Sequence, residues 1–254
     1  MNDNGEVNLV YNGGIATITF GHPAQNALPS HLLMQLSAAI EEAGSDTDTR
    51  VIIIQSAGER TFCAGASFNE LLKIADEDTG TRFFSGFANV INACRKADKI
   101  IIAKVQGKAV GGGVGIAAAA DYCFATEHAA VKLSELTIGI GPFVIAPAVQ
   151  RKIGLPAFTQ LSLQAGIFQS AEWAKENGLY NEVYEDATTM DDAIKQLAEQ
   201  LANYNPEAIT SLKRILWEGT EHWDTLLAER AAISGKLVLS EFTQKALRAF
   251  LSKA

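Results

Sequence analysis

Three glycine-containing stretches of the chain are the strongest candidates for chemistry: Phe62–Phe68, Gly111–Ile116 and Gly139–Phe143. A strand that runs into glycines and then into a helix lets a ligand approach the main chain closely, and the first N–H groups of the helix have no internal partner. Together with the helix dipole, such N–H groups stabilise an oxygen that becomes negatively charged during a reaction. Tight helix–strand packing is the alternative interpretation of any one stretch taken alone.

Other familiar sites do not fit these residues. The run at 111–116 lacks the last position of a dinucleotide-binding fingerprint, and no Gly-Lys-Ser/Thr ends a phosphate-binding loop. Residues 65–69 do not form the Gly-x-Ser-x-Gly turn of a serine hydrolase. The four histidines lack metal-ligand spacing with acids or cysteines. We therefore expect neither a metal nor a nucleophilic serine.

Composition sets the class of protein and its partners. The chain has 254 residues, of which 48% are hydrophobic and 20% charged, as in a globular protein with a substantial core. A formal charge of −8 disfavours binding to nucleic acid.

Three scattered cysteines indicate reduced thiols, and the polar N-terminus does not resemble a targeting segment. The longest uncharged apolar run, Ala109–Ala120, is too short to span a membrane. We expect a cytoplasmic protein.

Hydrophobic periodicity predicts an α/β chain that is rich in strands first and helical last. Alternation around Asn12-Gly13-Gly14 predicts a hairpin over 6–20, and four successive apolar residues predict a buried strand at 51–55. Further strands are predicted at 100–105, 122–125 and 130–133. Helices are predicted at 30–43, within 68–97, from the glycine run to 120, and at 170–178, 190–203, 206–218 and 222–251. From residue 145 onward the pattern is almost wholly helical.

Five segments of the chain form an ordered set: Pro23–Leu28, Phe62–Ala66, Val105–Gly113, Ser134–Gly139 and Ser170–Leu179. Taken in order, they resemble successive signatures of the enoyl-CoA hydratase/isomerase (crotonase) family, and the similarity runs from about residue 7 to 250. The resemblance implies a β-β-α spiral core over 1–195 and a C-terminal helical trimerisation region over 196–254. It also implies a homotrimer or hexamer that acts on an acyl-CoA thioester, with coenzyme A as part of the substrate and no separate cofactor.

The same resemblance implies roles for particular residues. The main-chain N–H groups of Ala66 and Gly112 correspond to the family's oxyanion hole, and Glu135 corresponds to an active-site carboxylate. The thioester and its pantetheine are expected along Asn26, Ala27, Leu28, Ala64, Gly65 and Gly111. Arg60, Arg248 and Lys253 are candidates for the CoA phosphates, or they are solvated surface cations. Five aromatic residues either line an acyl pocket or pack in the core: Phe83, Phe84, Phe87, Phe143 and Trp217.

One departure from the family pattern bears on the reaction. The family's hydratases carry two glutamates, and the position of the first is Gly115 in this chain. Glu135 alone favours an enoyl-CoA isomerase, in which one base moves a double bond from position 3 to position 2. An enoyl-CoA hydratase, a branched acyl-CoA decarboxylase and a catalytically inactive CoA-binding scaffold remain alternatives. Dehalogenation is disfavoured because Phe143 occupies the position of the required aspartate. Without the family frame, Glu135 would be interpreted as a solvated acid.

Overall fold

The computed structural model of the protein describes residues 4–251, and the side chains as far as residue 249. The strands in this range are β1 (Glu6–Asn12), β2 (Ile15–Gly21), β3 (Val51–Ser56), β4 (Thr61–Cys63), β5 (Ile100–Val105), β6 (Lys108–Val110), β7 (Tyr122–Thr126), β8 (Val131–Lys132) and β9 (Glu182–Tyr184). The helices are α1 (Ser30–Ser45), α2 (Phe68–Leu71), α3 (Glu77–Lys96), α4 (Gly112–Ala119), α5 (Ala146–Leu163), α6 (Ala171–Glu176), α7 (Ala187–Ala202), α8 (Pro206–Leu216), α9 (Trp223–Leu237) and α10 (Glu241–Leu251), with a 3-10 helix at Glu135–Ile138.

The larger sheet has six strands in the order β1-β2-β3-β5-β7-β9. The predicted hairpin is present, because β1 and β2 pair antiparallel from Glu6↔Gly21 to Asn12↔Ile15. The remaining neighbours are parallel. Val51–Ile54 of β3 are buried, as four successive apolar residues predicted. A parallel strand that is covered on both faces needs apolar side chains on both of them.

The smaller sheet positions the glycine-containing stretches. It has the order β4-β6-β8, and its strands are parallel. Parallel strands end at the same edge of a sheet. The residues that follow these three strands are therefore brought together: the loop after Cys63, the glycine run at the start of α4, and the 3-10 helix that begins at Glu135.

Two hydrophobic clusters cover the faces of the larger sheet. The main cluster packs apolar residues of α1, α3, α4, α5 and α9 against the strands. On the opposite face, Met190, Ile194 and Ala198 of α7 pack on residues of β3, β5 and β7. No helix among residues 4–251 combines the length and the apolarity needed to cross a membrane.

The C-terminal half differs from its predicted helical pattern in two places. Glu182–Tyr184 form the edge strand β9, which pairs with β7 in parallel. Three residues are too few to show the alternation of apolar and polar side chains that predicts a strand. β9 is recognisable only from its pairing with β7, which is distant in sequence. The continuous pattern predicted over 222–251 is also wrong, because α9 ends at Leu237 and α10 begins at Glu241.

The predicted boundary between residues 195 and 196 falls inside α7. Beyond it, α9 packs closely on α3, with Gly80 and Gly235 in direct contact: a Cβ on Gly80 would lie 2.7 Å from the Gly235 carbonyl oxygen. Helices from after the boundary therefore contribute to the same core. The division into a core and a trimerisation region remains a prediction.

A buried ion pair attaches α8 to the sheet. Lys213 is only 1% exposed, and its Nζ lies 2.6 Å from Oδ2 of Asp121, the residue that precedes β7. The same carboxylate accepts hydrogen bonds from the Ile101 N–H at 2.8 Å and from Nε1 of Trp217 at 2.7 Å. A buried carboxylate needs such partners, since the loss of one leaves a charge that is only partly compensated.

We expect Trp217→Phe to lower the free energy of unfolding by about 2 kcal/mol, because it removes a hydrogen bond to a charged, buried acceptor. Urea unfolding of the purified protein would measure the change. Trp173→Phe is the matched control: Trp173 is half-buried, and its indole N–H has no partner among the described residues. Equal losses in the two variants would contradict the assignment of this hydrogen bond.

Candidate active site

A pocket lies at the edge where the three strands of the smaller sheet end. Its empty volume is about 550 Å³, which includes space open to solvent. Most of its lining is apolar, and helices α2 and α3 contribute Phe68, Leu71, Phe84 and Phe87. Seven of the site residues predicted from sequence line this one pocket: Ala64, Gly65, Ala66, Gly111, Gly112, Glu135 and Phe143.

The N–H of Ala66 is left free by the pairing of its loop. Leu28 forms an isolated parallel bridge with Ala66. In this bridge the Leu28 N–H donates to the Gly65 carbonyl at 2.8 Å, and the Ser67 N–H donates to the Leu28 carbonyl at 3.2 Å. Both hydrogen bonds are made by the neighbours of Ala66. Its own N–H has no partner among the described residues and lies at the wall of the pocket.

The N–H of Gly112 is free because a helix begins there. The first hydrogen bonds of α4 run from Val114 and Gly115 to the Gly111 carbonyl, at 2.9 and 3.2 Å. Gly112 precedes both donors, so within residues 4–251 its N–H is unpaired, as the first turn of a helix requires. The two donor loops touch, since a Cβ added to Gly65 would lie 3.6 Å from the Gly112 nitrogen.

Glu135 brings one carboxylate into the pocket. The residue as a whole is half-buried, but its Oε2 is buried and has no hydrogen-bond partner in the part of the chain that the structure describes. The carboxylate lies against Gly111: a Cβ there would come within 2.8 Å of Oε1. Gly111 also has a φ of 53°, which favours glycine. The glycine is therefore needed both for the turn into α4 and for the approach of Glu135.

Burial in apolar surroundings raises the pKa of Glu135 from 4.5 to about 7. Water is removed from the carboxylate, and no cation compensates for that loss among the groups that shift its pKa. A carboxylate with a pKa near neutrality is a stronger base than an ordinary glutamate, and it still ionises at neutral pH. Glu135 is therefore suited to removing and returning a proton.

The same shift predicts how stability depends on pH. The folded chain keeps a proton on Glu135 that the unfolded chain releases between pH 4.5 and about 7, so stability falls as pH rises through this range. At pH 8 we expect Glu135→Gln to raise the free energy of unfolding by up to about 3 kcal/mol, and at pH 4 to leave it nearly unchanged. Urea unfolding at both pH values measures this effect. The exposed Glu127→Gln serves as the control, and an equal gain there would contradict the prediction.

The position of the family's other glutamate has no room for a side chain. A Cβ on Gly115 would lie 2.3 Å from Cγ2 of Ile145, which lines the pocket just before α5. An isoleucine methyl group thus fills the space next to Gly115. Among the described residues that line the pocket, Glu135 alone has an ionisable side chain.

The loop predicted to hold pantetheine supports the pocket without lining it. Asn26 has a φ of 56°, and its Nδ2 donates to the carbonyls of Ala57 and Thr61, both at 2.8 Å. Its Oδ1 accepts a hydrogen bond from the His22 N–H at 2.9 Å. The Asn26 side chain is thus fully used in holding the loop. Ala27 and Leu28 are buried, and neither they nor Asn26 line the pocket.

The predicted phosphate ligands do not line the pocket either. Arg60 and Arg248 are exposed. Lys253 lies outside the described residues. Of the aromatic candidates, Phe84 and Phe87 line the pocket together with Phe143, whereas Phe83 packs against the first two. Trp217 belongs to the Asp121 cluster instead.

Sequence reasoning missed Ile145 and Ser234, which line the pocket, and it gave no role to Ile138 and Ile140 within the stretches that it identified. The isoleucines have no property that separates them from core residues. Ser234 lies on α9, far along the chain from the glycine run, and no spacing links the two. Within residues 4–251, no group of three His, Cys, Asp or Glu side chains is arranged to hold a metal ion.

Comparison with known proteins supports the resemblance seen in the sequence. The family described as enoyl-CoA hydratase/isomerase matches residues 11–254. Carnitinyl-CoA dehydratase of Escherichia coli strain K12 is 32% identical over 253 aligned positions, which cover 92% of this chain and 95% of that protein. The related protein of Shigella flexneri, with the same description, is 31% identical over the same coverage.

Solved structures share the fold. The crystal structure of enoyl-CoA hydratase from Bacillus halodurans matches with a TM-score of 0.89 at 22% identity, covering 96% of this chain and 99% of that one. An enoyl-CoA hydratase from Mycobacterium avium matches with a TM-score of 0.85 at 26% identity, covering 100% and 98%. These likenesses confirm the fold class predicted from sequence.

Proposed function

Because this chain belongs to the enoyl-CoA hydratase/isomerase family and so acts on acyl-CoA thioesters, we propose that it is an enoyl-CoA isomerase that converts a 3-enoyl thioester into the 2-enoyl form. The observation that carries the proposal is a pocket with two free main-chain donors and one carboxylate, Glu135. The reaction requires one base that first removes a proton and then returns it.

Each step of the isomerisation has a group to perform it. The Glu135 carboxylate removes a proton from C2, and the electron pair moves onto the thioester oxygen to form a dienolate. The N–H groups of Ala66 and Gly112 bind that oxygen, and one such donor typically lowers a barrier by about 3–4 kcal/mol. The protonated Glu135 then delivers the proton to C4, and the double bond comes to lie between C2 and C3. No atom is gained or lost.

Hydration or dehydration is the second candidate, since relatives 31–32% identical are described as carnitinyl-CoA dehydratase. Addition of water to C3 and of a proton to C2 is helped by a second acid that handles the water. The place of that acid is occupied here by Gly115 and the Ile145 methyl group. The isomerase is therefore favoured. The decarboxylase and the inactive scaffold have no specific observation in their favour.

A paired assay tests the proposal. Purified protein is given 3-hexenoyl-CoA and, separately, crotonyl-CoA, and the binding of a CoA thioester is measured alongside. We expect rapid formation of 2-hexenoyl-CoA and slow hydration of crotonyl-CoA. Fast hydration with no change in 3-hexenoyl-CoA would establish a hydratase instead. Binding without either reaction would refute the isomerase proposal.

The pH dependence of the isomerase follows from the pKa of Glu135, about 7. The carboxylate must be ionised to accept the C2 proton. We therefore expect kcat/KM to fall about tenfold per pH unit well below pH 7 and to level off above it. Initial rates with 3-hexenoyl-CoA between pH 5 and 9 measure this profile. A rate that is constant from pH 5 to pH 8 would mean that Glu135 is not the base.

We also propose the trimer or hexamer that the family resemblance implies. Its support is a group of exposed apolar side chains on and after α5: Leu155 is 59% exposed, Leu163 72% and Ile167 57%. Burial of these side chains between protein chains would remove apolar surface from water, which favours association. Light scattering by the purified protein would measure the mass of the assembly.

A further inference from the structure

Ser234 places a polar group in the apolar wall of the pocket. The residue, on α9, is 1% exposed and lines the pocket. Its hydroxyl has no hydrogen-bond partner among the described residues. The hydroxyl oxygen is not among the fully buried side-chain atoms that lack a partner, so it keeps contact with the pocket, where water or a ligand can bind it. Close packing of helices would be served as well by alanine, which places no hydroxyl in an apolar wall.

Two contacts along α3 give an estimate of the distance between Ser234 and the oxyanion donors at the reacting end of the pocket. Gly80, in the first turns of α3, touches Gly235, the neighbour of Ser234. Seven residues later, Phe87 touches Gly112, since a Cβ there would lie 2.1 Å from Phe87 Cε1. Seven residues of α-helix extend about 10 Å. The Phe87 ring leans toward the start of the helix, so Ser234 lies at most about 10 Å from the oxyanion donors along the helix axis.

The wall between these two ends is apolar. Phe84 and Phe87 lie one turn apart on the face of α3 that lines the pocket. A ligand held by its thioester at Gly112 would lay hydrocarbon along these rings and bring its distal carbons to Ser234. An alkyl chain would leave the serine hydroxyl buried and unpaired. A chain that carries its own hydroxyl or carbonyl at that distance would satisfy it.

We propose that Ser234 forms a hydrogen-bonding subsite for the far end of the acyl chain. This inference rests on the proposed function, and it specifies the substrate class of that site: acyl-CoA thioesters that carry a hydroxyl or carbonyl group several carbons beyond the reacting positions. Ser234 is a specificity-determining residue in this arrangement. It has no part in the transfer of the proton.

Binding of saturated thioesters tests the subsite without depending on turnover. The probes are octanoyl-CoA and its 6-hydroxy and 8-hydroxy derivatives, titrated calorimetrically into the full-length protein. We expect one hydroxylated ester to bind about tenfold more tightly than octanoyl-CoA, as one added hydrogen bond of ordinary strength would produce. In Ser234→Ala this ratio should fall to about one, while the affinity for octanoyl-CoA is kept or increased.

The matched control is Ser85→Ala. Ser85 lies on α3 and is half-buried, but its hydroxyl already donates to the Thr81 carbonyl at 2.7 Å and does not line the pocket. This variant should keep the preference for the hydroxylated ester. Equal affinities for all three esters in the wild type would overturn the subsite, as would a preference that survives Ser234→Ala.

The outcomes separate this inference from the isomerase proposal. A tenfold preference that depends on Ser234, in a protein that leaves 3-hexenoyl-CoA unchanged, would support the subsite and refute the isomerase. Rapid isomerisation of 3-hexenoyl-CoA with no preference among the saturated esters would support the isomerase and refute the subsite.

Discussion

Glu135→Gln is expected to abolish most of the turnover of 3-hexenoyl-CoA while leaving the binding of CoA thioesters nearly intact. The amide has almost the same size as the carboxylate, so the pocket and the two main-chain donors stay in place. It cannot accept the C2 proton, however, and positioned bases contribute about 100- to 10,000-fold to such reactions. We expect kcat to fall within that range. Steady-state rates and calorimetric titration with octanoyl-CoA measure the two effects separately.

Glu127→Gln controls for the loss of one negative charge. Glu127 is exposed, follows β7 and does not line the pocket. Its variant should keep the wild-type kcat. Wild-type rates in Glu135→Gln would remove Glu135 from the mechanism. Lost thioester binding in that variant would instead indicate that the glutamine had disrupted the pocket.

The second large effect is expected from Gly65→Ala. Gly65 has a φ of 88°, and a Cβ there would lie 2.9 Å from the Val110 carbonyl oxygen. Because that contact is with main chain, the loop must shift, and the shift carries the N–H of Ala66 with it. The loss of one oxyanion donor typically lowers kcat by about 100- to 1,000-fold. Steady-state rates with 3-hexenoyl-CoA measure the loss.

Gly58→Ala is the control for backbone strain. It distinguishes a loss of activity caused by displacement of the Ala66 N–H from a loss caused by strain alone. Gly58 has a φ of 80°, similar to that of Gly65, but a Cβ there would meet nothing within 4 Å. Both variants incur the strain of a left-handed alanine, about 1 kcal/mol or slightly more. Only Gly65→Ala should lose activity. Equal kcat values in the two variants would show that the Ala66 N–H does not hold the developing negative charge.

The two variants act on different parts of the mechanism. Glu135→Gln removes the base and leaves the oxyanion donors in place, whereas Gly65→Ala moves a donor and leaves the carboxylate in place. A protein that merely binds CoA thioesters would show no turnover to lose in either case. The pair therefore also distinguishes the isomerase from the inactive scaffold.

Local sequence patterns determined much of the fold. Alternation around Asn12-Gly13-Gly14 predicted the β1–β2 hairpin, and the apolar run at Val51 predicted a strand buried on both faces. These patterns are readable because the residues that form each element are close in sequence. β9 was missed for the converse reason: three residues carry no period, and the strand forms only by pairing with β7.

For the site, the sequence by itself determined the chemical groups. These are the glycines of the loop after β4 and of the run at the start of α4, the carboxylate of Glu135, and the absence of a side chain at Gly115. The tertiary structure alone decided what surrounds them. Pairing of β4, β6 and β8 brought the donors and the carboxylate to one edge, and α9 added Ser234. Burial raised the pKa of Glu135, and Ile145 closed the space at Gly115. These properties depend on contacts between residues distant in sequence, which no local pattern records.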